Sequence, residues 1–137
     1  MSDTQIKSIL PEGWARGRGY SHAMVAQGQR WVIVAGQLPG PSGKLPVEAN
    51  LDCGKQWAIA LQNVVDAVKA AGGKPEHIVS LRAFVTSIAE FHASGAGVGE
   101  AWGKTMGKHF PAMTLVEISK LVDPNAKVEI EAMALLP

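Results

Sequence analysis

The sequence has little of several features that define special classes of protein. Its 137 residues include a single cysteine, Cys53, so an intrachain disulfide and a cysteine-based zinc site are both excluded. There are 13 basic and 12 acidic residues, which gives a net charge of +1, and no basic run interrupts that balance. The charge therefore argues against a nucleic-acid partner.

Long hydrophobic runs are lacking too. The first 17 residues contain Asp3 and no long apolar stretch, unlike a signal peptide, and no later stretch approaches the ~20 residues of a membrane span. The four histidines share no spacing typical of metal ligands. We therefore expect a cytoplasmic protein that has no membrane partner, no metal and no other cofactor.

The composition is that of a globular domain, with 47% hydrophobic and 18% charged residues. Because a chain of this length buries roughly two thirds of its unfolded surface, we expect residues 1–137 to form one domain. Residues 1–19 contain one proline and three glycines with little periodicity. That composition predicts an arm or loop at the start of the chain.

Hydrophobic periodicity predicts the elements that follow. Short strand-like runs at 20–26 and 31–35 predict a hairpin around the turn at 27–29. Apolar residues at helical spacing predict a helix over 50–71, ended by the glycines and proline of 72–75. The later predicted elements are a buried strand at 78–86, a glycine-weakened helix at 89–108 with a frayed or bent start, and strands at 113–118 and 127–133.

The order of these elements is ββαβαββ, which predicts an α+β fold with two helices on one face of a mixed sheet. The other sheet face would then present a large apolar patch to water. We therefore expect the chain to form an oligomer with itself through that face.

The C-terminal third carries a resemblance to a known family. The run Pro-Ala-Met-Thr-Leu-Val-Glu-Ile-Ser-Lys-Leu at 111–121, followed by Val-Glu-Ile at 128–130, resembles the signature of the Rid/YjgF family of enamine and imine deaminases. Gly19-Tyr20, the segment 34–39 and Gln-Asn-Val at 62–64 extend the likeness along nearly the whole chain. The resemblance implies a chorismate-mutase-like fold, assembled as a homotrimer with a central barrel of sheets and small-molecule clefts between subunits.

The resemblance also implies a site. The family's glutamate that positions or activates water corresponds to Glu129, which is therefore a catalytic candidate. Tyr20, which corresponds to the tyrosine of the family's Gly-Pro-Tyr element, is the second. The family's carboxylate-binding arginine is replaced by Met113, whose thioether cannot imitate a bidentate guanidinium. We therefore expect a substrate other than 2-aminoacrylate. The substrate-binding candidates are Ala35, Gly36, Arg82, Met113, Thr114 and Leu115.

Several of these residues have a second interpretation. Glu129 alternates with apolar neighbours, as it would on a solvated strand face, and Tyr20 could pack at the hairpin edge. Arg82 lies within an apolar strand, which favours a structural ion pair with a carboxylate. The alternative is that Arg82, Arg16 or Arg18 reaches the cleft and replaces the missing arginine.

Two functions remain open at this point. The first is a deaminase-like hydrolase that adds water to an imine or enamine in a cleft between subunits. The second is a non-catalytic trimer of the same family that binds a small molecule or has a regulatory role. Cys53 is expected to be a small buried hydrophobe rather than a nucleophile.

Overall fold

The computed structural model describes residues 5–137. This part of the chain forms six strands and three helices, and two short 3-10 turns, Pro41–Gly43 and Pro75–His77, lie in its loops. The regular elements are β1 (Gln5–Ile9), β2 (Ala23–Gln27), β3 (Arg30–Gln37), α1 (Cys53–Ala70), β4 (Ile78–Val85), α2 (Ile88–Ala93), α3 (Gly95–Thr105), β5 (Ala112–Glu117) and β6 (Val128–Leu136).

The main sheet has four strands in the order β3-β6-β4-β5. β4 and β5 run parallel, whereas β6 is antiparallel to both of its neighbours. β1 and β2 form a separate antiparallel pair. The predicted α+β class with a mixed sheet is therefore confirmed.

The predicted hairpin between 20–26 and 31–35 is wrong. β2 pairs with β1, a strand inside the segment predicted as an arm or loop, and β3 pairs with β6. At the start of β3 the Gln29 N–H donates to the Leu136 oxygen at 2.9 Å. A Cβ on Gly28 would lie 2.6 Å from that oxygen, so glycine permits the close approach of the two strands.

The helices follow the sequence pattern closely. α1 spans most of the predicted 50–71, and it begins at a cap in which the Asp52 carboxylate accepts from the Lys55 N–H at 2.8 Å. The predicted helix at 89–108 is two helices, α2 and α3, which meet at Ser94. The expected bend near its start is therefore present.

The hydrophobic core lies between the helices and one face of the main sheet. Alternate residues of β6 supply that face, and α1 supplies the largest share of the opposing side chains. On the other face, Trp31 is 57% exposed and Ile33 is 66% exposed. An exposed apolar patch, expected from the sequence, is thus present on the β3 part of this face in the single chain. Among residues 5–137, no helix combines the length and apolar character needed to cross a membrane.

Candidate functional site

The two faces of the main sheet divide the candidate residues. The inner face is the one that packs against the helices, and Met113 and Leu115 belong to it. The outer face is the opposite one, where the cross-strand pairs Arg82–Glu131 and Phe84–Glu129 lie. Because side chains alternate along a strand, Met113 and Glu129 point to opposite sides of the same sheet.

Glu129 packs against a bulge in β3. Ala132 pairs with Val34 and Ile130 pairs with Gln37, so two residues, Ala35 and Gly36, stand opposite the single residue 131. A Cβ placed on Gly36 would collide with the Glu129 carboxylate. Only glycine leaves room for this carboxylate to lie on the β3 backbone. None of the ion pairs among residues 5–137 engages Glu129.

Arg82 forms an ion pair with Glu131, with 3.3 Å between Nη1 and Oε2. The two residues face each other directly across β4 and β6. The expected carboxylate partner of Arg82 is therefore present. Because the arginine side chain is 59% exposed, the pair contributes little to stability, roughly 0–1 kcal/mol.

Tyr20 is positioned by the docking of the loop that precedes β2. The Ser21 N–H donates to the Pro111 oxygen at 3.1 Å, and the Ser21 hydroxyl donates to the Phe110 oxygen. Ser21 also forms an isolated parallel bridge with Ala112. The loop is thereby fixed against the start of β5, and the Tyr20 ring lies edge-on to His22, with 5.4 Å between ring centroids.

This docking creates two cavities that meet at Met113. The smaller, of about 330 Å³, is polar and is lined by Tyr20, Ser21, His22, Ser80, Leu81, Arg82, Ala112, Met113 and Thr114. The larger, of about 500 Å³, is mostly apolar and lies between the loop and the helices. Its lining residues are Arg18, Gly19, Trp57, Phe91, Val98, Gly99, Trp102, Gly103, Gly107, Phe110 and Met113. We call the larger one the aromatic cavity.

The structure thus brings some of the sequence candidates together and separates others. Tyr20, Arg82, Met113 and Thr114 share the polar cavity. Glu129 lies elsewhere on the sheet and lines neither cavity within the described chain.

Glu129 and Met113 stand on opposite faces of the sheet, so a site containing both must take them from two chains. The cleft between subunits therefore stays a prediction. Leu115 packs toward the core, and Ala35 lies beside Gly36 in the bulge.

Four aromatic residues of the cavity, Trp57, Phe91, Trp102 and Phe110, were not predicted as site residues. Their spacing is that of core residues, and only their three-dimensional arrangement shows that they enclose an open space. Of the three arginines considered as substitutes, Arg18 lines the aromatic cavity and Arg82 the polar one, whereas Arg16 lines neither.

Other chemical groups are placed away from these cavities. Cys53 is buried at the start of α1, and burial, with a further contribution from the Glu90 carboxylate, raises the pKa of its thiol. That environment suits a small hydrophobe and not an activated nucleophile. Among residues 5–137, no three His, Cys, Asp or Glu side chains are grouped so that they could hold a metal ion.

Comparison with known proteins shows what the chain resembles. Residues 15–136 match the family model described as endoribonuclease L-PSP. Over 105 residues the chain is 34% identical to 2-iminobutanoate/2-iminopropanoate deaminase of Escherichia coli strain K12. The matched region covers 75% of this chain and 77% of that protein.

Two solved structures show the same fold. YyfB of Yersinia pestis, a Rid-family protein of unknown function, has a TM-score of 0.79 at 29% identity, covering 96% of this chain and 98% of its own. The E. coli YjgF gene product has a TM-score of 0.65 at 30% identity, covering 94% of this chain and 98% of its own.

Proposed function

Because the chain belongs to the Rid/YjgF family, whose model is described as endoribonuclease L-PSP, we propose that it hydrolyses a small imine or enamine. The observation that carries the proposal is its 34% identity to a 2-iminobutanoate/2-iminopropanoate deaminase over three quarters of the chain. An RNA substrate is not supported by the sequence, because a net charge of +1 offers little attraction to a phosphate backbone.

The reaction consumes one water and releases one ammonia. Water adds its oxygen to the C=N carbon while a proton moves to the nitrogen, which gives a tetrahedral carbinolamine. Loss of the hydroxyl proton and departure of the nitrogen as ammonia then leave a 2-oxo compound. An enamine first takes a proton on carbon to become the imine and follows the same course.

Glu129 is the group proposed to orient the water. Its carboxylate lies on the backbone of the β3 bulge and has no ion-pair partner among residues 5–137, so its oxygens remain available to accept from water. Glu131, two residues further along the same face, is engaged by Arg82. Backbone N–H groups near Ala35-Gly36 and Thr114-Leu115 are proposed to hold the substrate.

The proposed active unit is a homotrimer. Glu129 and Met113 lie on opposite faces of one sheet, so a cleft between subunits is needed to bring Glu129 of one copy near Tyr20 and Met113 of the next. The exposed Trp31 and Ile33 on the outer face support such an assembly, because a patch of this kind is costly to leave in water.

The test is hydrolysis of freshly generated 2-imino acids. They are produced in the assay by an amino-acid oxidase, and the rate of ammonia release is compared with the uncatalysed rate. The wild-type chain is expected to accelerate release. Glu129→Gln should lower that acceleration by about 10²–10⁴-fold, the usual loss when a general base is removed.

The control is Glu100→Gln, which removes a carboxylate from an exposed ion pair with Lys104 on α3. It should keep the wild-type rate. Equal rates for Glu129→Gln and wild type would exclude the proposed role of Glu129. No acceleration of any imine by the wild-type chain would overturn the deaminase proposal and favour the non-catalytic binding protein instead.

A further inference from the structure

The aromatic cavity has the size and lining of a ligand site. Its volume of about 500 Å³ lies within the range of pockets that hold small organic molecules. Trp102 and Phe110 stack in its wall with 5.8 Å between centroids and 4° between planes. Trp57 and Phe91 form a second, tilted pair at 5.2 Å. Flat aromatic walls of this kind suit a planar apolar body.

Glycines keep the cavity open. Gly99 and Gly103 stand one turn apart on α3, and a Cβ built on either would meet nothing within 4 Å. The same holds for Gly19 and Gly107 at other points of the wall. A side chain would therefore meet no steric obstacle at Gly99 or Gly103, and both positions belong to the cavity wall.

Two of the residues that line the cavity, Arg18 and Trp57, carry polar groups without a partner among residues 5–137. Arg18 is the one charged residue among those that line the cavity, and none of the ion pairs within 5–137 includes it. Trp57 is 1% exposed, and its Nε1–H has no acceptor in that same part of the chain. Trp102, in the same wall, donates its Nε1–H to the His109 oxygen at 3.1 Å. A buried donor without an acceptor is rare in folded proteins.

We propose that the aromatic cavity binds an aromatic 2-imino carboxylate, with its ring against the Trp102 and Phe110 wall and its carboxylate on Arg18. This inference rests on the proposed function for the imine, whereas the preference for an aromatic carboxylate rests on the cavity itself. Arg18, in the loop before β2, binds the carboxylate that the Met113 thioether cannot bind.

Binding is tested with a stable probe, phenylpyruvate, the 2-oxo acid formed when the phenylalanine imine is hydrolysed. Calorimetry should show that it binds at least about tenfold more tightly than pyruvate, which lacks the ring, because the ring buries apolar surface. It should also bind about tenfold more tightly than phenylacetone, which lacks the carboxylate that Arg18 would pair with.

Matched variants locate the site. Gly103→Leu fills the cavity and should weaken phenylpyruvate binding at least about tenfold. Gly95→Leu places the same side chain on the same helix at a position that also has open space but does not line the cavity, and it should bind like wild type. Arg18→Gln should weaken binding about tenfold, whereas Arg16→Gln should leave it unchanged.

An independent readout follows the Trp57 indole. Its N–H signal in a ¹⁵N-labelled sample, assigned as the one lost in Trp57→Phe, should shift when phenylpyruvate is added and should stay unchanged with pyruvate at the same concentration. An unmoved Trp57 signal in the presence of bound phenylpyruvate would place the ligand elsewhere and overturn the assignment of the site.

The outcomes separate this inference from the proposed function. If Gly103→Leu weakens phenylpyruvate binding but the wild-type chain accelerates no imine hydrolysis, the site is supported and the deaminase function is excluded. If the chain accelerates imine hydrolysis but neither Gly103→Leu nor Arg18→Gln changes phenylpyruvate binding, the proposed binding site is wrong and the deaminase function stands. A changed oligomeric mass in Gly103→Leu also overturns it, since a second copy of the chain would then occupy the cavity.

Discussion

Gly36 and Glu129 show how the absence of one side chain determines the position of another. The sequence places Glu129 and Glu131 in one alternating run, where they look equivalent. In the structure the bulge at Gly36 makes room for the carboxylate of Glu129, whereas Glu131 is engaged by Arg82. A difference of this kind depends on strand pairing and is invisible in the alternation itself.

Cys53 gives a prediction at the scale of a single group. Because burial raises the pKa of its thiol, the native chain should hold less thiolate at pH 8 than the unfolded chain. Alkylation by iodoacetamide should therefore be at least about tenfold slower in buffer than in denaturant. The rates are measured by mass spectrometry of intact protein.

The raised pKa of Cys53 also makes the free energy of unfolding depend on pH. Because the unfolded thiol ionises at lower pH than the folded one, the contribution of Cys53 to the free energy of unfolding is complete at neutral pH. It falls as the pH rises above about 8.5. Cys53→Ala should remove that part of the alkaline loss in the free energy of unfolding. Equal alkylation rates in the native and unfolded chains would contradict the buried assignment.

At the scale of elements, one buried side chain of α1 joins the loop before the helix to the distant loop before β6. The Gln56 amide donates to the Asn125 oxygen at 2.9 Å and to the Leu51 oxygen at 3.4 Å, and its oxygen accepts from the Lys127 N–H at 2.6 Å. Gln56 is fully buried. The helix thereby fixes the loop that leads into β6, the strand that carries Glu129.

Gln56→Leu should destabilise the fold by about 2–4 kcal/mol, because it leaves buried backbone groups without partners. The free energy of unfolding is obtained from urea titration. Gln62→Leu, on the exposed side of α1 where the amide donates to the Asp66 carboxylate at 2.8 Å, should change stability by no more than about 0.5 kcal/mol. Similar losses in both variants would show that the buried bonds have no special weight.

The elements differ in how far the sequence predicts them. α1 was predicted within three residues at either end, because its apolar stripe and the terminating glycines are local signals. The partner of β3 was not predicted, because a run of β-branched residues specifies a strand but not the strand with which it pairs. β6 supplies that partner from about a hundred residues away, and only packing of the whole chain selects it.

The same limit applies to the candidate site. Family resemblance identified Tyr20, Met113 and Thr114, which the structure brings into one cavity. It did not identify Trp57 or Trp102, because their helical spacing is that of ordinary core residues. The open space between them arises from the glycines of α3 and from the docked loop, and both depend on tertiary structure.

At the scale of the whole molecule, the outer sheet face determines the expected assembly. Ile33 is 66% exposed in the single chain, so its replacement by lysine should leave the stability of the chain itself nearly unchanged. Burying that lysine between subunits would be costly. Native mass spectrometry should therefore find a trimer of the 14.5 kDa chain for wild type and smaller species for Ile33→Lys.

Val122→Lys is the matched control, since Val122 is 85% exposed in a loop away from the sheet. It should remain trimeric. A wild-type chain that stays monomeric at micromolar concentration would contradict the assembly, and a trimeric Ile33→Lys would mean that the subunits meet elsewhere.

The placement of Met113 and Glu129 on opposite faces of one sheet has a consequence for mixtures. A chain with Glu129→Gln and a chain with Gly103→Leu are each expected to turn over an aromatic imine much more slowly than wild type. When they are unfolded together and refolded as hybrids, some interfaces will join an intact Glu129 from one parent to an open aromatic cavity from the other. A mixture of the two defective variants would then recover part of the turnover that each lacks alone. This is complementation between subunits of one assembly.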